Sequence, residues 1–263
     1  MRSLFPLILF ISFSFVGLSQ QINYKLSMPE PHTHYFHVDI NVDGFNEDSL
    51  DIKMPVWAPG SYLVREFSKS VENFTTGNVR SKMINKNTWR VFPEGKTLTI
   101  SYDVYAFEMS VRTSFLDANH GYINGTSMFM YIDGKKELPS TLEITPPNNW
   151  KKVSTSLKKT SDNLFKYNAP NYDILVDSPI EIGNQLEFDF DASGARHKVA
   201  MYGKGNFDVE LLKTDMAKIV ESCTEVFGEN PNKDYVFIIH NLTNGSGGLE
   251  HLSSTTLQVN RWG

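Results

Sequence analysis

Between Ile22 and about Phe190, apolar side chains recur at every second position in short runs, and this alternation constrains the fold more than any other feature. In Tyr35-Phe36-His37-Val38-Asp39-Ile40-Asn41-Val42, the residues Phe36, Val38, Ile40 and Val42 share one face. A period of two marks a strand with one side buried and one side wet. The pattern returns at Leu98-Thr99-Ile100-Ser101-Tyr102-Asp103-Val104-Tyr105, at Thr141-Leu142-Glu143-Ile144 and at Gln185-Leu186-Glu187-Phe188-Asp189-Phe190. Turn-forming pairs separate the runs: Asp43-Gly44, Pro59-Gly60, Asp133-Gly134, Pro146-Pro147 and Gly183-Asn184. Many short strands with regular punctuation predict a mainly β chain whose first part is β-sandwich-like.

After Ser193-Gly194 the texture changes. Val209, Leu212, Met216, Ile219, Val220 and Val226-Phe227 follow a helical spacing across residues 208–227, and Gly228 with Pro231 supplies the stop signal. Tyr235-Val236-Phe237-Ile238-Ile239 is a continuous apolar run, suited to a strand covered on both faces. A glycine-rich stretch, residues 244–248, leads into the β-branched Ser254-Thr255-Thr256-Leu257-Gln258-Val259. One helix and two strands in about 70 residues bury too little to stand alone. Residues 193–263 therefore read as the opening part of a second, α+β domain, following a β-sandwich domain over residues 20–192.

The chain of 263 residues carries 25 Lys+Arg against 30 Asp+Glu, a net charge of -5, with no basic run. Phosphate neutralisation needs clustered cations, so nucleic acid is excluded as the expected partner. One cysteine, Cys223, rules out an internal disulfide and a cysteine-rich metal module; its place in the helical pattern predicts a packed, small apolar residue. Residues 1–19 have the form of a signal peptide: Arg2, an apolar run over residues 4–16, then Gly17-Leu18-Ser19. That run falls short of the roughly 20 residues that span a bilayer. The expectation is an exported protein, periplasmic or secreted, with no integral membrane segment once the signal is removed.

Chemistry-bearing residues concentrate at Gly247-Gly248-Leu249-Glu250-His251. Glycines let a ligand approach the backbone, a carboxylate at such a turn binds a cation, and a neighbouring strand can pair with an extended peptide. Together these suit capture of a peptide's free α-amino group; the spacing alone is equally that of a glycine-rich turn with an exposed glutamate. His32 and His34 would share a strand face, but no third ligand accompanies them. His240 and His251 flank the glycine-rich stretch and could meet in space. H-E-x-x-H and H-x-x-E-H are absent from the sequence, so no metal ligand and no catalytic residue is assigned in this chain. Trp57-Ala58-Pro59-Gly60-Ser61-Tyr62 with Arg65 reads as a structural corner with Trp57 and Tyr62 packed beneath it, or as a contact with substrate or with the second domain.

Three segments in order carry a resemblance. They are Met54-Pro55-Val56-Trp57-Ala58-Pro59-Gly60-Ser61-Tyr62-Leu63-Val64-Arg65-Glu66-Phe67, Tyr172-Asp173-Ile174-Leu175-Val176-Asp177-Ser178-Pro179-Ile180-Glu181-Ile182-Gly183, and Phe227-Gly228 with Pro231, Tyr235-Val236-Phe237 and Gly247-Gly248-Leu249-Glu250-His251. In these segments the chain resembles the glycyl aminopeptidase family, zinc metallopeptidases that join an N-terminal β-domain, a thermolysin-like domain and a PDZ domain. The resemblance implies zinc as cofactor in the complete protein, held by an H-E-x-x-H helix and a downstream glutamate that lie beyond Gly263. It implies a peptide with a free N-terminus as partner, with glycine or alanine preferred. Residues 247–251 are similar to the Gly-x-Met-Glu-Asn loop of the related aminopeptidase N family. By that analogy Glu250 anchors the α-amino group, Gly247, Gly248 and Leu249 supply room and backbone contacts, and the strand after Ser253 is the edge beside which substrate lies. His251 replaces the asparagine. The alternative, from a different class, is a non-catalytic extracellular β-sandwich binding module.

Overall fold

The computed structural model describes residues 20–160 and 165–262. The expected signal peptide lies outside the described residues. Among the described residues the strands form four sheets. The largest runs in the order Lys158–Lys159, Lys166–Ala169, Ser140–Thr145, Gln21–Ser27, Tyr35–Asp43, Thr97–Tyr105, Val71–Thr75. The alternation in Tyr35–Asp43 is realised as read: Phe36, Val38, Ile40 and Val42 are buried, and the residues between them are partly open. Opposite them across the antiparallel ladder stand Val104, Tyr102, Ile100 and Leu98, so the two buried faces coincide. Two four-stranded sheets complete the first part, and one continuous core from Ile22 to Ile182 joins all three. The mainly β fold expected from the alternation is the fold observed.

The fourth sheet has five strands in the order Leu186–Ala192, Ala195–Tyr202, Asp234–Leu242, Ser254–Asn260, Gly247–Glu250. Its three middle strands are parallel and its two outer strands antiparallel. The helix Val209–Phe227 crosses between the first two parallel strands. Asp208 caps it by accepting from the Leu211 N–H at 2.9 Å, and Gly228, at φ 86°, closes it. Val209, Leu212, Met216 and Val220 lay against Phe188, Val199, Met201 and Ile239.

Three expectations need correction here. Leu186–Ala192, grouped by its alternation with the first domain, forms a hairpin on Ala195–Tyr202, so the second sheet begins at Leu186 rather than at residue 193. The reason is local: Ser193 and Gly194, both at positive φ, make a two-residue turn that pairs the strands on either side of it. Cys223 is exposed rather than packed: it continues the 209–212–216–220 face, but lies past Val220, the last residue of the helix that packs on the core of the sheet. The segment around His32 is a short 3-10 helix, Pro31–Thr33, with His34 at φ 68°; the two histidines are therefore not neighbours on a strand. No helix among the described residues is long and apolar enough to cross a membrane.

Candidate functional site

The glycine-rich stretch is a strand. Gly247–Glu250 pairs antiparallel with Ser254–Asn260, from Gly247 opposite Gln258 to Glu250 opposite Thr255. It is the outermost strand of the five-stranded sheet. The expected substrate edge, the strand after Ser253, is interior instead, flanked by Asp234–Leu242 on its other side. The chain reverses over residues 251–253, where the His251 N–H donates to the Ser254 carbonyl at 2.9 Å, and this hairpin puts the glycine strand outside. The free edge thus belongs to the segment that carries Glu250. Leu249 is fully buried while Glu250 is exposed, as alternation on a strand requires.

Two parts of the β-domain hold this strand in place. The Pro59-Gly60 turn lies directly against it: a Cβ at Gly60, φ 75°, would sit 2.8 Å from Leu249 Cδ1. Only glycine takes that conformation freely and leaves Leu249 its space. Asp177, just after the short helix Tyr172–Val176, makes the second hold. Its Oδ1 accepts from His251 Nδ1 at 2.8 Å and its Oδ2 from the Leu252 N–H at 2.9 Å. Thr255 Oγ1 donates to the Leu249 carbonyl at 3.0 Å, and Tyr235 OH donates to the Ser254 carbonyl at 2.9 Å. Burial first, then the nearby Glu250 and Asp177 carboxylates, push the Tyr235 phenol up to about 12, so it stays a donor. The glycines themselves have structural reasons. A Cβ at Gly248 would meet Leu257 at 3.2 Å, and Gly247 sits at φ 151°.

A second junction lies deeper. Glu181, wholly buried, accepts from His120 Nδ1 at 2.8 Å through one oxygen and from His240 Nε2 at 2.9 Å through the other. Glu181 and His120 belong to the β-domain and His240 to the five-stranded sheet. Burial alone drives the carboxyl up, but the two imidazoles together outweigh it by charge and hydrogen bond, and Glu181 ionises below the usual range. His120 stacks on Tyr202 with ring centroids 3.4 Å apart. The potential ligand atoms of these three residues lie within 4.8 Å of one another. The donor set nevertheless fits a hydrogen-bonded bridge better than a metal. Each imidazole already uses a separate carboxylate oxygen, and His240 Nδ1 is buried with no acceptor for the N–H that a metal-bound imidazole would present there.

The other candidates fall elsewhere. His240 and His251 do not share a partner: one meets Glu181 and the other Asp177. His34 Nδ1 bonds the Leu116 carbonyl at 2.6 Å. Trp57 is half exposed and Tyr62 fully exposed, so the corner is not packed beneath as expected; its inner contact is Gly60 on Leu249. Leu63 and Val64 beside them are exposed as well. Asp177 and Glu181 sit together in the segment 172–183, whose sequence alone assigns neither a role. Their place within that segment was the one local signal for either. His120 had none, since it reaches Glu181 across 61 positions.

The family model for the Peptidase M61 N-terminal domain matches residues 23–184. None of the curated proteins matches the sequence. Among solved structures, an aminopeptidase N family protein from Idiomarina loihiensis is 33% identical, with a TM-score of 0.87 over 92% of this chain and 42% of its own. An M1 zinc metallopeptidase mutant from Deinococcus radiodurans, bound to a Tyr-Ser-Ala substrate, is 13% identical with a TM-score of 0.57, over 92% of this chain and 60% of its own. That second likeness shows the shared fold. The chain therefore spans less than two thirds of the length of either of these structures. With more than half of its length matched, from Asn23 to Asn184, this chain belongs to the Peptidase M61 N-terminal domain family.

Proposed function

We propose that the complete protein is an exported zinc aminopeptidase, and that this chain supplies the side of its cleft that grips the substrate's free N-terminus. One observation carries the reading: Glu250 is an exposed carboxylate on a free sheet edge whose neighbours on both sides, Leu249 and His251, are held by the β-domain. An extended peptide can pair with such an edge through its backbone. Its α-amino group, with an ordinary pKa of about 7.7–8.0, is mostly cationic at neutral pH and complements the carboxylate. The zinc expected in the complete protein has no fitting ligand set among the described residues, and the hydrolytic step belongs to other parts of the molecule. The preference for glycine or alanine, the PDZ domain and the periplasmic or secreted location stand on the family resemblance.

The test uses the full-length protein. Glu250→Gln keeps shape but removes charge, and kcat/KM for free-amino peptides should fall by about 10-fold to 100-fold, as for loss of a charge-assisted contact of about 1.5–3 kcal/mol. Selectivity over N-acetylated peptides should collapse with it. Unchanged selectivity in the folded variant would rule out Glu250 as the amino anchor.

A further inference from the structure

We propose that Asp177 is a positioning residue for substrate binding, acting through His251 and the backbone of Leu252 to fix where Glu250 stands; this rests on the amino-anchor reading of Glu250. Asp177 is well placed for it because its own mounting is firm. It ends the helix Tyr172–Val176, with its N–H bonded to the Asp173 carbonyl at 2.9 Å and the next residue, Ser178, bonded back to the Ile174 carbonyl at 2.8 Å. From there its two oxygens take separate donors on the turn that directly follows Glu250. The β-domain thereby touches both neighbours of Glu250, through Gly60 on one side and Asp177 on the other, while leaving Glu250 itself open.

The imidazole makes this hold depend on a carboxylate in particular. His251 Nε2 is buried and has no partner, so the tautomer with its hydrogen on Nδ1, donated to Asp177, is the one that leaves only a lone pair unpaired. An unpaired buried N–H costs more than that. Asp177→Asn keeps the shape and still leaves an acceptor for the Leu252 N–H, but its NH2 group then faces the Nδ1 hydrogen. Relief by tautomer exchange would place a hydrogen on the buried Nε2. Either way the turn, and Glu250 with it, must shift. A purely structural pin would lower stability alone; a positioning residue changes binding of the free amino group.

Steady-state kinetics of the full-length protein on free-amino and N-acetylated peptides tests this. Asp177→Asn should raise KM for free-amino peptides about tenfold with kcat within about twofold, the pattern of a misplaced binding group. Because both residues act along one path, Asp177→Asn combined with His251→Gln should lose no more than the worse single variant. A wild-type KM in folded Asp177→Asn, or KM losses that multiply in the double variant, would overturn the proposal. If Asp177→Asn does not fold, Asp177→Glu, which keeps the charge but moves it by one methylene, should show the same KM rise, and a wild-type KM there counts equally against it. Glu250→Gln separates the two claims: intact selectivity in that variant sinks the amino-anchor reading, whereas lost selectivity with a normal KM in Asp177→Asn sinks the positioning role alone.

Discussion

At the scale of single residues, Glu181 and Gly60 carry the strongest consequences. Glu181→Gln replaces one of two acceptor oxygens by a donor facing a histidine donor, and should destabilise the fold by about 1–3 kcal/mol at pH 7. The wild-type carboxyl ionises below its ordinary value of 4.5, so its contribution is fully present above that value and is lost as pH falls through the lower folded value. Denaturant titrations of wild type and variant should therefore converge in the acid range below about pH 4.5, and a gap that widens there would contradict the ionised bridge. Gly60→Ala meets both a positive φ and Leu249, and should cost about 1–2 kcal/mol from the backbone alone, measured as a lower urea midpoint at unchanged m. How far these residues could be read beforehand differs for physical reasons. Pro59-Gly60 announced a turn because glycine and proline act locally. Glu250 was legible as an exposed carboxylate beside glycines. The pairing of Glu181 with His120 and His240 was not, since nothing local to any of them requires the others.

At the scale of elements, alternation was a sound guide wherever one face is buried and the other is wet, as in Tyr35–Asp43 and Thr97–Tyr105. It could not assign Leu186–Ala192 to a sheet, because an amphipathic strand looks the same whichever core its apolar face joins. The glycine strand escaped notice for the opposite reason. Two glycines weaken strand propensity, and only the hairpin with Ser254–Asn260 makes Gly247–Glu250 extended. The helix Val209–Phe227 was readable from its spacing, its Asp208 cap and its Gly228 stop. Asp208→Ala should cost about 1 kcal/mol through the lost cap, read as a lowered midpoint in chemical unfolding. The same helix leaves Leu211, Ile219, Val226 and Phe227 exposed.

At the scale of the whole molecule, the two parts share a seam rather than a linker. Tyr122 and Phe115 of the β-domain pack with Ala200, Val236 and Ile238 of the five-stranded sheet, and Tyr122 OH donates to Thr256 Oγ1 at 3.0 Å. Ser154 Oγ donates to Glu187 at 2.6 Å across the same seam. Residues 193–263 read, on length and element count, as burying too little alone. The seam supplies the missing contacts, so residues 20–262 should unfold in one cooperative step by fluorescence and circular dichroism, and two separated transitions would contradict a shared core.

The bare α-carbon of Gly60 has a consequence for anyone recombining such proteins. A five-stranded sheet grafted onto a foreign β-domain would bring Leu249, His240 and His251 but leave behind the turn, the two carboxylates and His120 that receive them. Such a chimera would keep Glu250 and lose the contacts that hold the residues on either side of it unless Gly60, His120, Asp177 and Glu181 travelled as a set.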